Sequence, residues 1–414
     1  MSPEKLVVVS ADGHAGPERM ADFMPYFEAR HFDAFKEYAA AVEAYDAQRA
    51  GSLTSGGARS KGGEDGLWDF NLRTRHLDED GISAEIIHIQ GAPPFGTYPA
   101  VSTLGGPVQF KAQPDQIAAG CRAYNRWLSE KCATDPMRHL GVARLPIPDI
   151  EAAVAEVEFA AGAGLRGGVA LPIFARGEAP FYNDGRYEPL WAACAHHGMA
   201  INFHGGANMD YGDGIERLAL VLAETDWLGR RGMSHMIFAG VFERHPGLHV
   251  AITEQRTHWL DPVLKEWDSV YAFPRNADLR TVLPRRPSDY FRTNCFIGAS
   301  FLSRPEVAAR GELGNHTFMW GGDYPHEEGV WPYTKTALRW TFAEGVSSDD
   351  LRSMLSGNAA RCYGIDLKAL EPIADLVGPT EVELRTPVAE PPVAATPGER
   401  GAISWAYRRE GPWH

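Results

Sequence analysis

Short apolar runs rich in valine and isoleucine alternate along this chain with longer stretches in which apolar residues recur every three or four positions. Switching from period two to period 3.6 predicts strands followed by helices, hence βα units and a parallel sheet. Eight runs qualify: Leu6–Val9, Ala84–Gln90, Leu140–Leu145, Gly167–Leu171, Met199–Phe203, His249–Thr253, Tyr290–Ile297 and Thr317–Gly322. Helical spacing lies between them at residues 116–129, 150–162, 187–197 and 218–242, with a closing helix at 351–363. Eight strands with helical returns predict a (β/α)8 TIM barrel over residues 1–376.

Two segments interrupt the rhythm. A long insertion, about 20–75, follows the first strand and holds an aromatic stretch, Met20 to Tyr45, then a Gly/Ser-rich piece, Gly51 to Gly66, expected to be a flexible loop. Placed over the barrel mouth, its aromatics form either a lid and substrate wall or a helix packed on the rim. Past Leu376, prolines 379, 387, 391, 392 and 397 predict an extended tail over 377–414, although Trp405, Tyr407 and Trp413 give that tail something to bury.

The chain has 414 residues and is 44% hydrophobic, enough for one barrel with insertions. A net charge of −14 with only scattered arginine pairs excludes nucleic acid as a partner. Five widely spaced cysteines without a CxxC pair predict free thiols in a reducing cytoplasm. The first apolar run is too short for a signal peptide or a membrane span.

Chemistry enters at the strand ends. Asp12 and His14 follow the first run, His204 closes the fifth, Glu254 closes the sixth, and Asp323 follows the eighth. In a parallel barrel these C-terminal ends open on one face, where carboxylate and imidazole can share an ion. Residues two apart, as Asp12 and His14 are, point the same way in an extended strand. His88, inside the second strand, is expected to satisfy the core rather than to ligate. Arg144, Asn294 and Trp331 are candidates to line the substrate site. Neither a Gly-x-Ser-x-Gly elbow nor a nucleotide-binding glycine fingerprint is present.

The ordered set Ser10-Ala-Asp-Gly-His14, Tyr124-Asn-Arg-Trp127, Leu165-Arg-Gly-Gly168, Asn202-Phe-His-Gly-Gly206, Gly322-Asp-Tyr-Pro-His326 and Gly357-Asn-Ala-Ala-Arg361 resembles the amidohydrolase-related family. This is the branch of the metal-dependent amidohydrolases that includes aminocarboxymuconate semialdehyde decarboxylase and resorcylate decarboxylase. The resemblance spans residues 6–366. It implies a distorted barrel with a divalent ion at its mouth, Asp12 and His14 as the first ligand pair, and His204 and Asp323 as the fifth- and eighth-strand ligands. It also favours a homodimer. Asp-x-His is shorter than the His-x-His or Glu-x-His of many members. The resemblance breaks at Glu254, where the decarboxylases carry a histidine.

Glu254 has three readings: ligand to a second ion with His204 and Glu18, acid/base residue, or structural carboxylate. The resulting expectation is a hydrolase that binds one or two divalent ions, zinc, iron or manganese. Metal-bound hydroxide would attack an ester, thioester or amide of a small, largely apolar organic acid, with Asp323, Glu254 and His258 (or His326) moving protons. The alternative is a non-oxidative, metal-dependent decarboxylase on the same fold. A third possibility is a metal-binding scaffold without turnover.

Overall fold

The computed structural model describes residues 4–49, 64–97, 112–174, 179–205, 211, 214–300, 302–313, 316–326 and 329–389. Its strands are all parallel within the barrel. We number them β1 (Val9–Ser10, resuming at His14–Ala15), β2 (Ala84–Ile89), β3 (His139–Gly141, resuming at Ala143–Arg144), β4 (Val169–Ala170), β5 (Ile201–His204), β6 (Val250–Thr253), β7 (Cys295–Ser300) and β8 (Phe318–Gly321). Pairing runs from β1 through β2 to the first part of β3, and from the second part of β3 in order to β8. Two junctions close the ring. Val142, in the break of β3, donates its amide to Ile87 O at 2.9 Å. Between β8 and β1, Ala11 N donates to Trp320 O and His14 N to Tyr324 O, at 2.9 and 2.7 Å.

The barrel interior is apolar below and polar at the mouth. Val9, Ile86, Leu140, Val142, Phe296 and Met319 form an interior cluster. By the alternation of strand side chains, His88 continues the inward row above Ile86, and Arg144 the row above Val142. Asp12 does not continue the row of Val9 and Ala11. The strand breaks between Ser10 and His14, and this irregularity turns Asp12 and His14 inward. The break is fastened by the Ser10 hydroxyl, which donates to Asp12 O at 2.7 Å and accepts from Gly322 N at 2.9 Å.

A second fastening comes from the helix Phe70–Asp80, which the hydrophobic pattern does not announce. Its buried Arg73 pairs with Glu85 on β2 and donates to His14 O at 2.6 Å and Gly66 O at 3.1 Å. Burial by itself would raise the Glu85 carboxyl, but Arg73 outweighs it and holds the group down to about 2. A Cβ on Gly13 would come 2.9 Å from Glu85 Oε2, so only glycine leaves room for this ion pair beside the break.

The expected seventh strand is displaced. Residues Pro287–Asn294 form a helix with proline in its first turn, and the strand begins at Cys295. The aromatic pair Tyr290 and Phe291 is buried on that helix rather than on a strand. The expected helix over 218–242 is two helices, Arg217–Phe238 and Val241–Arg244, divided at Gly240, whose φ of 66° is left-handed. Helices at Leu260–Ala272, Arg304–Leu313 and Thr334–Phe342 supply returns beyond those expected.

The insertion contains short 3-10 turns, Met20–Tyr26 and Ala29–His31, and the helix Phe32–Arg49. Phe27 stacks on Phe35 at 4.4 Å and meets Phe95 edge-on, while Phe23 meets Trp127 at 5.7 Å. These buried rings make a layer on the rim. The Gly/Ser-rich piece lies largely outside the described residues, as do Trp405, Tyr407 and Trp413. Of the segment 377–414, Thr380 bridges Lys5 and caps the short helix Glu381–Leu384, whose Leu384 is buried. All five cysteines are free and buried. Among the described residues no helix is long and apolar enough to cross a membrane.

Asp80, at the end of the helix carrying Arg73, accepts from the Thr334 hydroxyl at 2.6 Å. Burial raises its carboxyl from 3.8 to about 7 against the lowering effect of that hydrogen bond. The folded state therefore binds a proton that the unfolded state releases, so the stability contributed falls as pH rises from the lower value to the upper. Asp80→Asn is expected to lose less stability than the wild type between about pH 4 and about pH 7. Parallel pH profiles in urea denaturation would exclude this assignment.

Candidate metal centre

The strand-end residues meet at the barrel mouth in two adjoining groups. Asp12, His88 and His204 form one, and His14, Asp323 and His326 the other, with the ligand atoms of each group within 4.8 Å of one another. His204 Nε2 is 3.2 Å from Asp12 Oδ1, and His14 Nδ1 is 3.0 Å from Asp323 Oδ1 and 4.0 Å from Asp12 Oδ1. His14 stacks on His326 with centroids 3.9 Å apart and meets His204 edge-on at 4.8 Å. Asp12 and Asp323 are fully buried.

Local backbone holds these groups in place. Asp323 follows β8 with φ of 54°, a left-handed conformation that costs a non-glycine residue about 1–3 kcal/mol. Its amide donates to Asp12 O at 3.0 Å, so the two carboxylate residues are joined through the main chain. A Cβ on Gly321 would lie 2.9 Å from Asp12 Cβ, so glycine there lets the strands approach. The Ser300 hydroxyl, at the end of β7, donates to Asp12 Oδ2.

Charge is distributed unevenly. Burial and the neighbouring His326 push His14 well below the ordinary imidazole range, and burial with His204 does the same to His88. Both are therefore neutral rings with nitrogen lone pairs to offer. Burial would lower His204 too, but Asp12 and then Glu254 overcome it and raise the group to about 9. Asp12 is lowered despite burial and the repulsion of Asp323, because His204 and His14 favour its charge.

Polar atoms at this site lack ordinary partners. Both nitrogens of His88, Nδ1 of His14 and both oxygens of Asp323 are buried without a hydrogen bond among the described residues. Two carboxylates in one dry cleft repel unless a cation joins them. Neutral imidazoles beside carboxylates are the donor set of zinc, iron or manganese, so the residues fit a divalent ion. Either group could hold it, Asp12 with His88 and His204 or His14 with Asp323 and His326.

The remaining candidates separate. Glu254 is partly exposed, with φ of 57°, and its Oε2 lies 3.4 Å from His204 Nδ1. It stands beside the centre but outside both groups. His258 is exposed in the turn before Leu260–Ala272, and Glu18 is exposed as well. Asn294 lies at the opposite end of the barrel, donating to Pro246 O and Leu248 O. Trp331 is buried against His76 and Tyr324. Gln90 was not anticipated: its Oε1 lies 2.7 Å from His326 Nε2. His88 also belongs here rather than to the core, and its period-two spacing above Ile86 was the available signal.

A family model described as Amidohydrolase matches residues 68–365, well over half of the chain. A gamma-resorcylate decarboxylase of Rhodococcus jostii (strain RHA1) is 26% identical over 314 residues, covering 72% of this chain and 88% of the relative. An amidohydrolase structure from Mycobacterium avium subsp. paratuberculosis K-10 superposes with a TM-score of 0.64 at 20% identity, covering 87% of this chain and 99% of that one. A dihydroxybenzoic acid decarboxylase from Polaromonas sp. JS666, with bound manganese and 2-nitroresorcinol, has a TM-score of 0.56 at 18% identity over 87% of this chain and 97% of that one. With the matched length added to the strand-end cluster, the chain belongs to the amidohydrolase family.

Proposed function

We propose that this protein is a divalent-metal-dependent decarboxylase of a small aromatic carboxylate. The observation that carries the reading is the line Gln90, His326, Asp323. The Nε2–H of His326 donates to Gln90 Oε1 at 2.7 Å, which leaves Nδ1 as the other half of the tautomer. That Nδ1 lies 2.8 Å from Asp323 Oδ1, a contact between two acceptors unless one proton sits between them. A proton shared by this pair would stand at the wall of the cluster.

Decarboxylation needs that proton. As the carbon–carbon bond to the carboxylate breaks, its electron pair stays on the ring carbon, which takes a proton from the Asp323–His326 pair while carbon dioxide leaves. When bound, the divalent ion would supply a Lewis acid that withdraws charge from a substrate oxyanion. Asp12 is oriented by Ser300 and His204. His204 turns Nε2 to Asp12 and keeps Nδ1 toward Gly205 O and Glu254, the arrangement that fixes ring orientation in metal-binding histidines. In this proposal Glu254 positions His204 rather than ligating a second ion. The relatives described as gamma-resorcylate decarboxylases, matched over most of their length, support the same reading.

Hydrolysis of an ester, thioester or amide, the first expectation from the sequence, is kept as a second reading because Glu254 occupies the position at which the resemblance expects histidine. The deciding measurement is carbon dioxide release from 2,6-dihydroxybenzoate, 5-carboxyvanillate and related hydroxyaryl acids by manganese-loaded protein, beside hydrolysis of aryl esters and amides. Release that stops on chelation and returns with manganese is expected. Ester or amide turnover without carbon dioxide would reverse the assignment.

Metal content separates the roles of Glu254. In Glu254→Gln, metal per chain is expected to stay at the wild-type value while turnover falls by about 10–100-fold. A loss of one metal equivalent would make Glu254 a ligand.

A further inference from the structure

Arg144 closes β3, and its start is clamped on both sides by one side chain. Asn125 Oδ1 accepts from Arg144 N at 2.8 Å, and Asn125 Nδ2 donates to Arg144 O at 2.9 Å. Asn125 is itself held by Glu156 at 2.8 Å, whose carboxylate also pairs with Arg126. The strand end is therefore rigid. Alternation directs the side chain inward above Val142, at the level of the mouth.

Nothing described answers the guanidinium charge. Arg144 Nε is buried without a hydrogen bond, and no carboxylate lies within ion-pair distance among the described residues. The charge bears on Tyr124, Tyr182, Cys121 and His88. Tyr182 spends its hydroxyl on Pro172 O at 2.6 Å, but the fully buried Tyr124 hydroxyl has no partner. Burial also works against the charge of Arg144 itself. Arg144 is half-buried, and a guanidinium with a buried, unpartnered Nε beside an idle buried hydroxyl is unfavourable unless a ligand answers both. The same two groups are the donors that recognise a planar oxyanion, because guanidinium matches carboxylate in a bidentate fork.

We infer that Arg144 and Tyr124 form a carboxylate-binding subsite, separate from the cluster of Asp12, His14, His204 and Asp323. His88 is near both, with its ring 4.6 Å from that of His204 and the charge of Arg144 among those that lower its imidazole. The subsite selects substrates that carry a second acidic group across a small ring from the reacting one. It deepens the proposed function and rests on it only for the aromatic ring that joins the two ends.

The test compares binding of benzoate and isophthalate to manganese-loaded protein by calorimetry. Wild type is expected to bind isophthalate more tightly by on the order of 100-fold, as for a desolvated charge pair. Arg144→Met is expected to erase that ratio with metal content unchanged, Arg144→Lys to restore part of it, and Tyr124→Phe to reduce it by about 5–10-fold. Tyr124→Phe removes only a hydroxyl and keeps the test valid if Arg144→Met does not fold. Equal binding of the two acids by wild type, or a ratio unchanged in the variants, overturns the subsite. An Arg144-dependent ratio in a protein that releases no carbon dioxide from the hydroxyaryl acids upholds the subsite and overturns the decarboxylase.

Discussion

Asp323→Asn is expected to lower turnover by about 10²–10⁴-fold, the range ascribed to a positioned acid/base group. The amide keeps the shape but holds no transferable proton, and it offers the neighbouring imidazoles a neutral partner in place of a carboxylate. Asp323 is completely buried, shares a 2.8 Å contact with His326 and a 3.0 Å contact with His14, and sits on a strained φ of 54°. Asparagine tolerates that conformation well, so the backbone should survive the change. Gln90→Leu provides the companion result. It removes the acceptor that fixes the His326 tautomer and is expected to cost less than Asp323→Asn, while shifting the pH profile of turnover. Initial rates with metal analysis and thermal denaturation on the same preparations check both. Turnover of Asp323→Asn within tenfold of wild type, at equal metal content, would remove Asp323 from the proton path.

The largest effect on stability is expected from Arg73→Met. That substitution leaves Glu85 charged, buried and facing only His139, whose Nδ1 lies 3.3 Å from Glu85 Oε1, and it strips a donor from His14 O. Breaking a buried pair from one side costs about 3–5 kcal/mol. The double variant Arg73→Met with Glu85→Leu removes both charges and should recover part of the loss, because the desolvation cost disappears with them. Urea denaturation of the two variants and the wild type measures this directly. Since Glu85 is held at about 2, the pair contributes fully above the ordinary carboxylate range near 4.5 and is lost as pH falls from there toward 2. A single variant no less stable than the double would show that the pair is not what fastens β1 to β2. Metal affinity should fall in the single variant too, because Arg73 donates to the carbonyl of His14 itself.

Local pattern carried much of this architecture. Valine and isoleucine runs at Ala84–Ile89 and Val250–Thr253 lie on strands, and the alanine-rich stretch at Ile150–Gly162 is a helix capped by Asp149. Such signals are legible because burial of one face is a property of neighbouring residues in the chain. The same pattern misplaced the seventh strand, since Tyr290 and Phe291 are apolar on either element and only the proline at 287 favours the helix. It passed over Phe70–Asp80, whose core contacts are made by an arginine and an aspartate as well as by apolar side chains.

The candidate site divides along the same line. Asp12, His14, His204, Glu254 and Asp323 were readable as strand ends, because strand ends of a parallel barrel share one face whatever their separation in sequence. Which of them touch depended on closure of the ring. The break after Ser10 turned Asp12 and His14 inward, and pairing of β8 with β1 brought Asp323 to His14. His326, marked in the sequence by the Asp-Tyr-Pro-His motif, and His88, marked only by its spacing above Ile86, joined them, and Gln90 did so from a position with no local mark of function. His258 stayed at the surface and Glu254 stood beside the centre, since a few ångströms at a strand end are set by side-chain packing around the barrel. The amino-acid sequence by itself determined the barrel and the donor chemistry, which follow from periodicity and residue type. Only the tertiary structure decided the membership of the cluster and the lack of a carboxylate beside Arg144 among the described residues, because each of these is a relation between residues far apart in the chain.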